Sequence, residues 1–190
     1  MRDEFLKIYK KNIKREGADK LLEYLEKSDF FTAPASTRFH NNFEGGLVDH
    51  SVRCFHRFVK TLNCEYGDKL PISMESVAVI ALLHDICKIG CYKIEMRNVK
   101  EGNEWVKKPY YTYDDPLPYG HGEKSVYVIS GFMKLDREEA MAINWHMGAY
   151  DARHSPTSYT LSNVHSKHPI ALIFSTVDLL TSYLDEKTVK

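Results

Sequence analysis

Apolar side chains recur at helical spacing along most of the chain. Phe5, Leu6, Tyr9 and Ile13 share one side of a helix expected over residues 3–15, and Leu21, Leu22 and Leu25 mark a second, short one. The stretch SDFFTAPASTRFHNNFEGG is rich in breakers and polar residues and reads as a loop. Residues 47–62 then carry a stripe of Val48, Val52, Phe55, Val59 and Leu62. Beyond Pro71, Ser73 offers an N-cap for the run VAVIALLHDICKIG, and Gly90 offers its stop. That run is apolar almost all the way round, which predicts a buried helix.

The pattern changes at residue 91. CYKIEMRNVK alternates apolar and polar positions, EGN supplies a turn and EWVKKPYYTY follows, so a β-hairpin is expected within residues 91–118. Its aromatics, Tyr92, Trp105, Tyr110, Tyr111 and Tyr113, stand among Lys107 and Lys108. Aromatics beside cations suit base stacking, but packing over the helical core is the favoured reading. Helices resume over 122–134, with Val126, Ile129 and Met133, and from Asp136, whose Glu139 completes a capping-box pattern, to Gly148. Residues 149–165 read as polar and irregular. A last helix starts at Pro169 with the stripe Ile170, Ile173, Phe174, Val177 and Leu184. The expectation is one all-α domain, a helical bundle spanning 1–190, with the small hairpin as an insertion.

Charge narrows the partners. Lys plus Arg and Asp plus Glu each number 26, so no net field draws the chain to nucleic acid or membrane. The charged N-terminus, MRDEFLKIYKKNIKREG, offers no signal-peptide core, and no stretch approaches the roughly 20 apolar residues that span a bilayer. Cysteines at 54, 64, 87 and 91 form no CxxC pair and read as free thiols. A soluble cytoplasmic protein is expected, of open oligomeric state.

The chemistry sits in the apolar run. His84 and Asp85 are neighbours on a helix, about 100° apart, yet both can reach a point between their directions. An ionised carboxylate there needs positive compensation, from a metal or from a buried Lys or Arg. His50 lies roughly 160° from the centre of its helix's apolar stripe, so it is poorly placed to fill a core. Asp178 falls in the apolar stretch IALIFSTVDLL. His121 and His146 stand at helix boundaries. Imidazole and carboxylate together suit Mn, Fe, Ni, Co or Zn. His56, His154, His165 and His168 are assigned to surface or packing.

The order His50, His84-Asp85, Asp178, on separate helices, resembles the HD superfamily of metal-dependent phosphohydrolases, over about residues 30 to 185. LLHDICKIG is similar to that family's central helix, with Cys87 where glycine is usual. APASTRFHNNFEGGLVDHS resembles the HD portion of bacterial 3′–5′ exoribonucleases. The resemblance implies a dinuclear site for two divalent transition metals. His50, His84, Asp85 and Asp178 would hold the first metal, and Asp85 would bridge to a second held by His121 and His146. A hydroxide between the metals would attack the phosphorus of a small phosphorylated substrate, a nucleotide or a short RNA. Lys88, one turn after His84, is expected to grip a phosphate oxygen; His40 and Arg38 are expected to bind phosphate or serve the leaving group; Lys124 is a weaker substrate contact. A mixed-valent di-iron oxygenase related to myo-inositol oxygenase, and a non-catalytic metal- and nucleotide-binding module, are the alternatives. Cys87 and Cys91 are minor candidates as thiolate ligands.

Overall fold

The computed structural model describes residues 1–151, 153, 155 and 159–186. Among these, the elements in chain order are α1 (Arg2–Asn12), α2 (Ala18–Lys27), α3 (Gly46–Tyr66), α4 (Met74–Leu83), β1 (Tyr92–Glu101), β2 (Glu104–Tyr113), α5 (His121–Ser130), α6 (Arg137–Asn144), α7 (Thr160–Lys167) and α8 (Pro169–Leu180). The fold is helical with one antiparallel hairpin. No described helix is long and apolar enough to cross a membrane.

Helix α4 is the centre of the bundle. Every residue from Ser76 to Lys88 is buried, and α4 packs against α1, α3 and α6. Val77, Val79, Ile80, Leu82 and Leu83 are wholly buried, each contributing about 1.5–3 kcal/mol. Ser73 caps the helix by accepting from the Ser76 N–H, as expected. The helix does not run to Gly90, however. Its last α-helical residue is Leu83; His84 caps it, Asp85 leaves helical geometry, and Ile86–Lys88 form a 3₁₀ turn. Polar groups cause the break: His84 Nδ1 turns back on the Ala81 carbonyl at 3.0 Å, and Asp85 is held by Lys88 and His121.

Helix α6 also ends earlier than expected, at Asn144, although its capping box at Asp136 and Glu139 is present. The segment expected to be irregular contains α7, whose Leu161 and Val164, three residues apart, are buried beside α8. After α8 the chain widens into a π turn over Thr181–Asp185. That turn rotates Leu184 off the apolar stripe and leaves it 68% exposed.

The hairpin register pairs Tyr92 with Tyr113 and Glu101 with Glu104, leaving a Gly102-Asn103 turn in which Gly102 has φ 61°. The strands do not lie over the core as expected. Beyond half-buried Tyr92, Tyr111 and Thr112 at the base, and Val99 and Val106 further out, both strands are exposed. Among the described residues no helix makes extended contact with either strand beyond the base, so the hairpin projects from the bundle.

Candidate metal centre

Five segments deliver the residues singled out in the sequence, and two glycines set their spacing. His50 stands in the first turns of α3, and Gly46 admits the preceding loop. A Cβ on Gly46 would lie 2.0 Å from the Asn41 carbonyl oxygen, so only glycine lets the His40 loop seat against α3. His84 and Asp85 come from the broken end of α4, and Asp178 from α8. His121 opens α5, and His146 follows α6 by two residues. A Cβ on Gly122 would lie 2.1 Å from the Asn144 carbonyl oxygen. This close approach of α5 to α6 places the His121 and His146 rings 5.0 Å apart.

The structure brings all six together. Asp85 Oδ2 lies 3.6 Å from both His50 Nε2 and His84 Nε2, while Asp85 Oδ1 lies 2.9 Å from His121 Nε2 and 3.5 Å from His146 Nε2. One carboxylate thus presents one oxygen to each pair of imidazoles. Asp178 Oδ1 closes the first pair, 3.1 Å from His50 Nε2 and 4.0 Å from His84 Nε2. His50, off the apolar stripe of α3, is nevertheless wholly buried, because α8 and the residues after it cover this side of the helix.

Three of the imidazoles are anchored through Nδ1. His50 Nδ1 meets Glu186 Oε1 at 2.5 Å, His84 Nδ1 the Ala81 carbonyl at 3.0 Å, and His146 Nδ1 the Ile143 carbonyl at 2.6 Å. Each Nδ1 therefore donates to oxygen, and Nε2 is the atom left to face the cluster. His50 Nε2 and His84 Nε2 face each other at 3.0 Å. His146 Nε2 is buried and makes no hydrogen bond at all. Buried polar atoms without partners are rare and costly, and metal coordination is one way to satisfy them. The donor set fits a cation: groups of these His, Asp and Cys side chains have ligand atoms within 4.8 Å of one another.

The electrostatics point the same way. Burial pushes His84 down to about 3 against the pull of Asp85, so its lone pair stays free. Burial also opposes charge on His50, but the Cys54 sulfur and the Glu186 and Asp178 carboxylates outweigh it and hold its pKa well above the imidazole norm. Burial works against ionised Asp85 and Asp178 too; Lys88 and His84 for the first, and His50 for the second, keep both below the carboxylate range. The cluster demands positive charge, which a proton on imidazole or a divalent cation supplies.

The remaining predicted residues are placed less uniformly. Lys88 Nζ is buried, donating to Asp85 Oδ2 at 2.7 Å and to the Ala35 carbonyl at 2.8 Å, which leaves one of its three N–H groups. His40 lines the cavity beside the cluster, its Nδ1 2.5 Å from Glu186 Oε2. Arg38 is exposed, with its guanidinium over the Phe39 ring, and Lys124 is turned to Asp115 at 2.5 Å and Cys91 at 3.4 Å. Neither lines the cavity. His154 lies outside the described residues.

Sequence reasoning missed Glu186, which bridges His40 and His50. Its position depends on the π turn and on Arg53 and Arg57 of α3, which hold Asp185, so nothing local announces it. It also missed Cys54, one helical turn after His50, with Sγ 3.6 Å from His50 Nε2. Cys87 Sγ is likewise 3.6 Å from His121 Nδ1, while Cys91 joins no metal-holding group among the described residues. His165, assigned to surface or packing, lines the cavity with a buried, unpartnered Nε2.

The cavity over the cluster has a volume of about 880 Å³, with Tyr92 and Tyr113 of the hairpin base in its wall. A second cleft of about 1080 Å³ lies near Arg15 and Asp136; it contains none of the metal-holding groups found among the described residues. No family model, curated protein or solved structure matches the chain.

Proposed function

We propose that the chain is a metal-dependent phosphohydrolase of the HD type, cleaving a phosphomonoester or phosphodiester of a nucleotide or similar small phosphorylated substrate. The observation that carries this reading is Asp85. Its two oxygens face two pairs of imidazoles, and the nearby His146 Nε2 is buried without a partner. Two divalent metals, held by His50, His84, Asp85 and Asp178 and by Asp85, His121 and His146, would supply Lewis acidity and water activated near neutral pH.

The chain's own groups suit phosphoryl transfer, which depends mainly on positioning and charge stabilisation. Glu186 and the Ala81 and Ile143 carbonyls orient the ligand imidazoles through Nδ1. Lys88 offsets the Asp85 charge and keeps one N–H for a phosphate oxygen. Glu186 also holds His40 by Nδ1, leaving His40 Nε2 as the atom that faces the substrate. The volume of about 880 Å³ falls within the size range of small-molecule sites.

The test is metal content per chain by elemental analysis, on protein purified without chelator, followed by hydrolysis of a phosphoester panel with Mn, Fe, Ni, Co and Zn. About two metals per chain and turnover that Asp85→Ala abolishes are expected. No metal after reconstitution, or full turnover by Asp85→Ala, overturns the reading. An oxygen-sensitive mixed-valent iron signal without phosphoester cleavage would replace it with oxygen chemistry.

A further inference from the structure

The projecting hairpin is two-faced, and the division is chemical. Strand alternation places the even positions of β1 and the odd positions of β2 on one face. All three carboxylates of the strands, Glu95, Glu101 and Glu104, fall on the other face. There the cations are already engaged: Lys108 pairs with Glu101, Lys93 with Asp114, and Arg97 lies 4.8 Å over the Tyr110 ring. The first face carries Ile94, Met96 and Trp105, which are 65, 58 and 69% exposed. Lys100 and Lys107 flank Trp105 on that face, are exposed, and have no ion-pair partner among the described residues.

This face is continuous with the cavity. Tyr92 and Tyr113 form its base and also line the cavity over the metal cluster. From Tyr92 to Lys100 the strand covers about 26 Å at roughly 3.3 Å per residue. The surface is thus an aromatic and aliphatic strip with unpaired cations, no carboxylate from either strand, and one end at the candidate metal centre.

We propose that this face is a docking track for a single-stranded oligonucleotide, whose end or internal phosphodiester enters the cavity. Bases stack on exposed aromatic faces irrespective of sequence, and unpaired lysines hold the backbone; such sites span about 4 nucleotides upward. A second copy of this chain fits less well. A two-fold pairing of these faces would bury four lysines with no carboxylate on either side. The balanced charge of the whole chain is compatible with the track, because the positive charge is local to one hairpin face. The inference rests on the phosphohydrolase reading for the fate of the strand, but binding is measurable without turnover.

The experiment uses fluorescence anisotropy of 5′-labelled 12-nucleotide oligo-U and oligo-dT with the full chain in chelator, where metal-dependent cleavage is suppressed. Binding of either strand is expected, and a preference between them identifies a contact to the sugar 2′ position or to the thymine methyl group. Trp105→Ala is expected to weaken binding about ten-fold. Lys100→Ala/Lys107→Ala is expected to reduce the slope of log K against log salt by about 1.4, which is about 0.7 for each single-strand phosphate that no lysine then neutralises. Lys108→Ala, on the opposite face, should bind as the parent does. All these positions are exposed, and melting curves confirm that the variants fold. Absence of binding by the parent chain, or parental affinity in both first-face variants, overturns the proposal. So does self-association of the parent that Trp105→Ala abolishes, which would assign the face to a protein contact. Hydrolysis of bis(p-nitrophenyl) phosphate with added metal is run alongside. Its persistence without oligonucleotide binding refutes the track alone, whereas oligonucleotide binding without any hydrolysis refutes the catalytic reading and leaves the track.

Discussion

Replacing His146 by leucine should cost the protein far more stability in metal than in chelator. Leucine is close to histidine in size and has no polar atom. In chelator, His146→Leu removes the buried Nε2 that makes no hydrogen bond, relieving a penalty of about 1–3 kcal/mol. It also forfeits the Nδ1 bond to the Ile143 carbonyl, worth about 1 kcal/mol. It further gives up the attraction of Asp85 Oδ1, 3.5 Å away, which raises the His146 pKa against burial, so the variant should lie within about 2 kcal/mol of the parent in chelator. Asp85 is not stranded, since Lys88 and His121 remain at 2.7 and 2.9 Å.

In metal the parent gains what binding supplies. Free metal at 100 times Kd stabilises by about 2.7 kcal/mol per site. For a chain of 190 residues, 1 kcal/mol moves Tm by about 2–4 °C, so the parent should rise by about 5–11 °C for each site filled. His146→Leu should lose most of the rise that belongs to its site. Thermal melts of both proteins, in chelator and in a titration of Mn, Co, Ni, Zn and anaerobic Fe(II), read both arms. Equal destabilisation of the variant with and without metal would refute the reasoning, because His146 would then be an ordinary packing residue. So would a parent whose Tm no metal moves.

Gly122→Ala should destabilise by about 1–3 kcal/mol through overpacking. It should also cost the chain a metal, because the added Cβ would meet the Asn144 carbonyl oxygen at 2.1 Å and push His121 from His146; calorimetry and metal stoichiometry check it, and unchanged stoichiometry counts against the two-metal assignment. Acidification in chelator should erode stability between pH 6.5 and 4.5. Burial holds folded His84 at about 3 against the pull of Asp85, whereas the unfolded imidazole protonates near 6.5, so the unfolded state binds more protons in this window. His50, raised on folding, loses its contribution only as pH rises above that window. Urea titrations should show a slope of about 1.4 kcal/mol per pH unit from His84, and His84→Asn should remove that share while His121, also lowered by burial, keeps its own; an unchanged slope would place the titration elsewhere. Glu139→Ala should cost about 2–3 kcal/mol by denaturant titration, since its buried carboxylate takes two 2.6 Å bonds from half-buried Arg15 and one from the Asp136 N–H. A loss below about 0.5 kcal/mol would mean Arg15 finds full compensation in water.

Much of the helical fold was legible because its elements obey one period. The stripe through Val48, Val52, Phe55 and Leu62 is buried on α3, and the alternation around Ile94 and Met96 is that of a strand. Two errors have separate causes. α7 was overlooked because eight largely polar residues expose most of their surface, and only Leu161 and Val164 carry the period. The hairpin was expected to pack because aromatics usually find a core, yet pattern alone cannot say whether a neighbour covers a face. Ile94, Met96 and Trp105 show that here none of the described residues does.

At the site the legible part was residue type and order; the illegible part was irregular backbone. Periodicity carried the helix past His84, but the chain breaks there, and the break lets Asp85 present one oxygen to each imidazole pair. The stripe carried α8 to Leu184, but a π turn intervenes and swings Glu186 onto His40 and His50. Spacing put His121 and His146 on separate helices, but the approach that joins them needs the missing Cβ of Gly122. Each departure delivers a group to the same cluster. A sequence shaped only by packing has no reason to interrupt its most apolar helix with a His-Asp pair, or to end its last helix in a widened turn under two histidines. Local rules fail together where another demand overrides them, and in this chain they fail around Asp85.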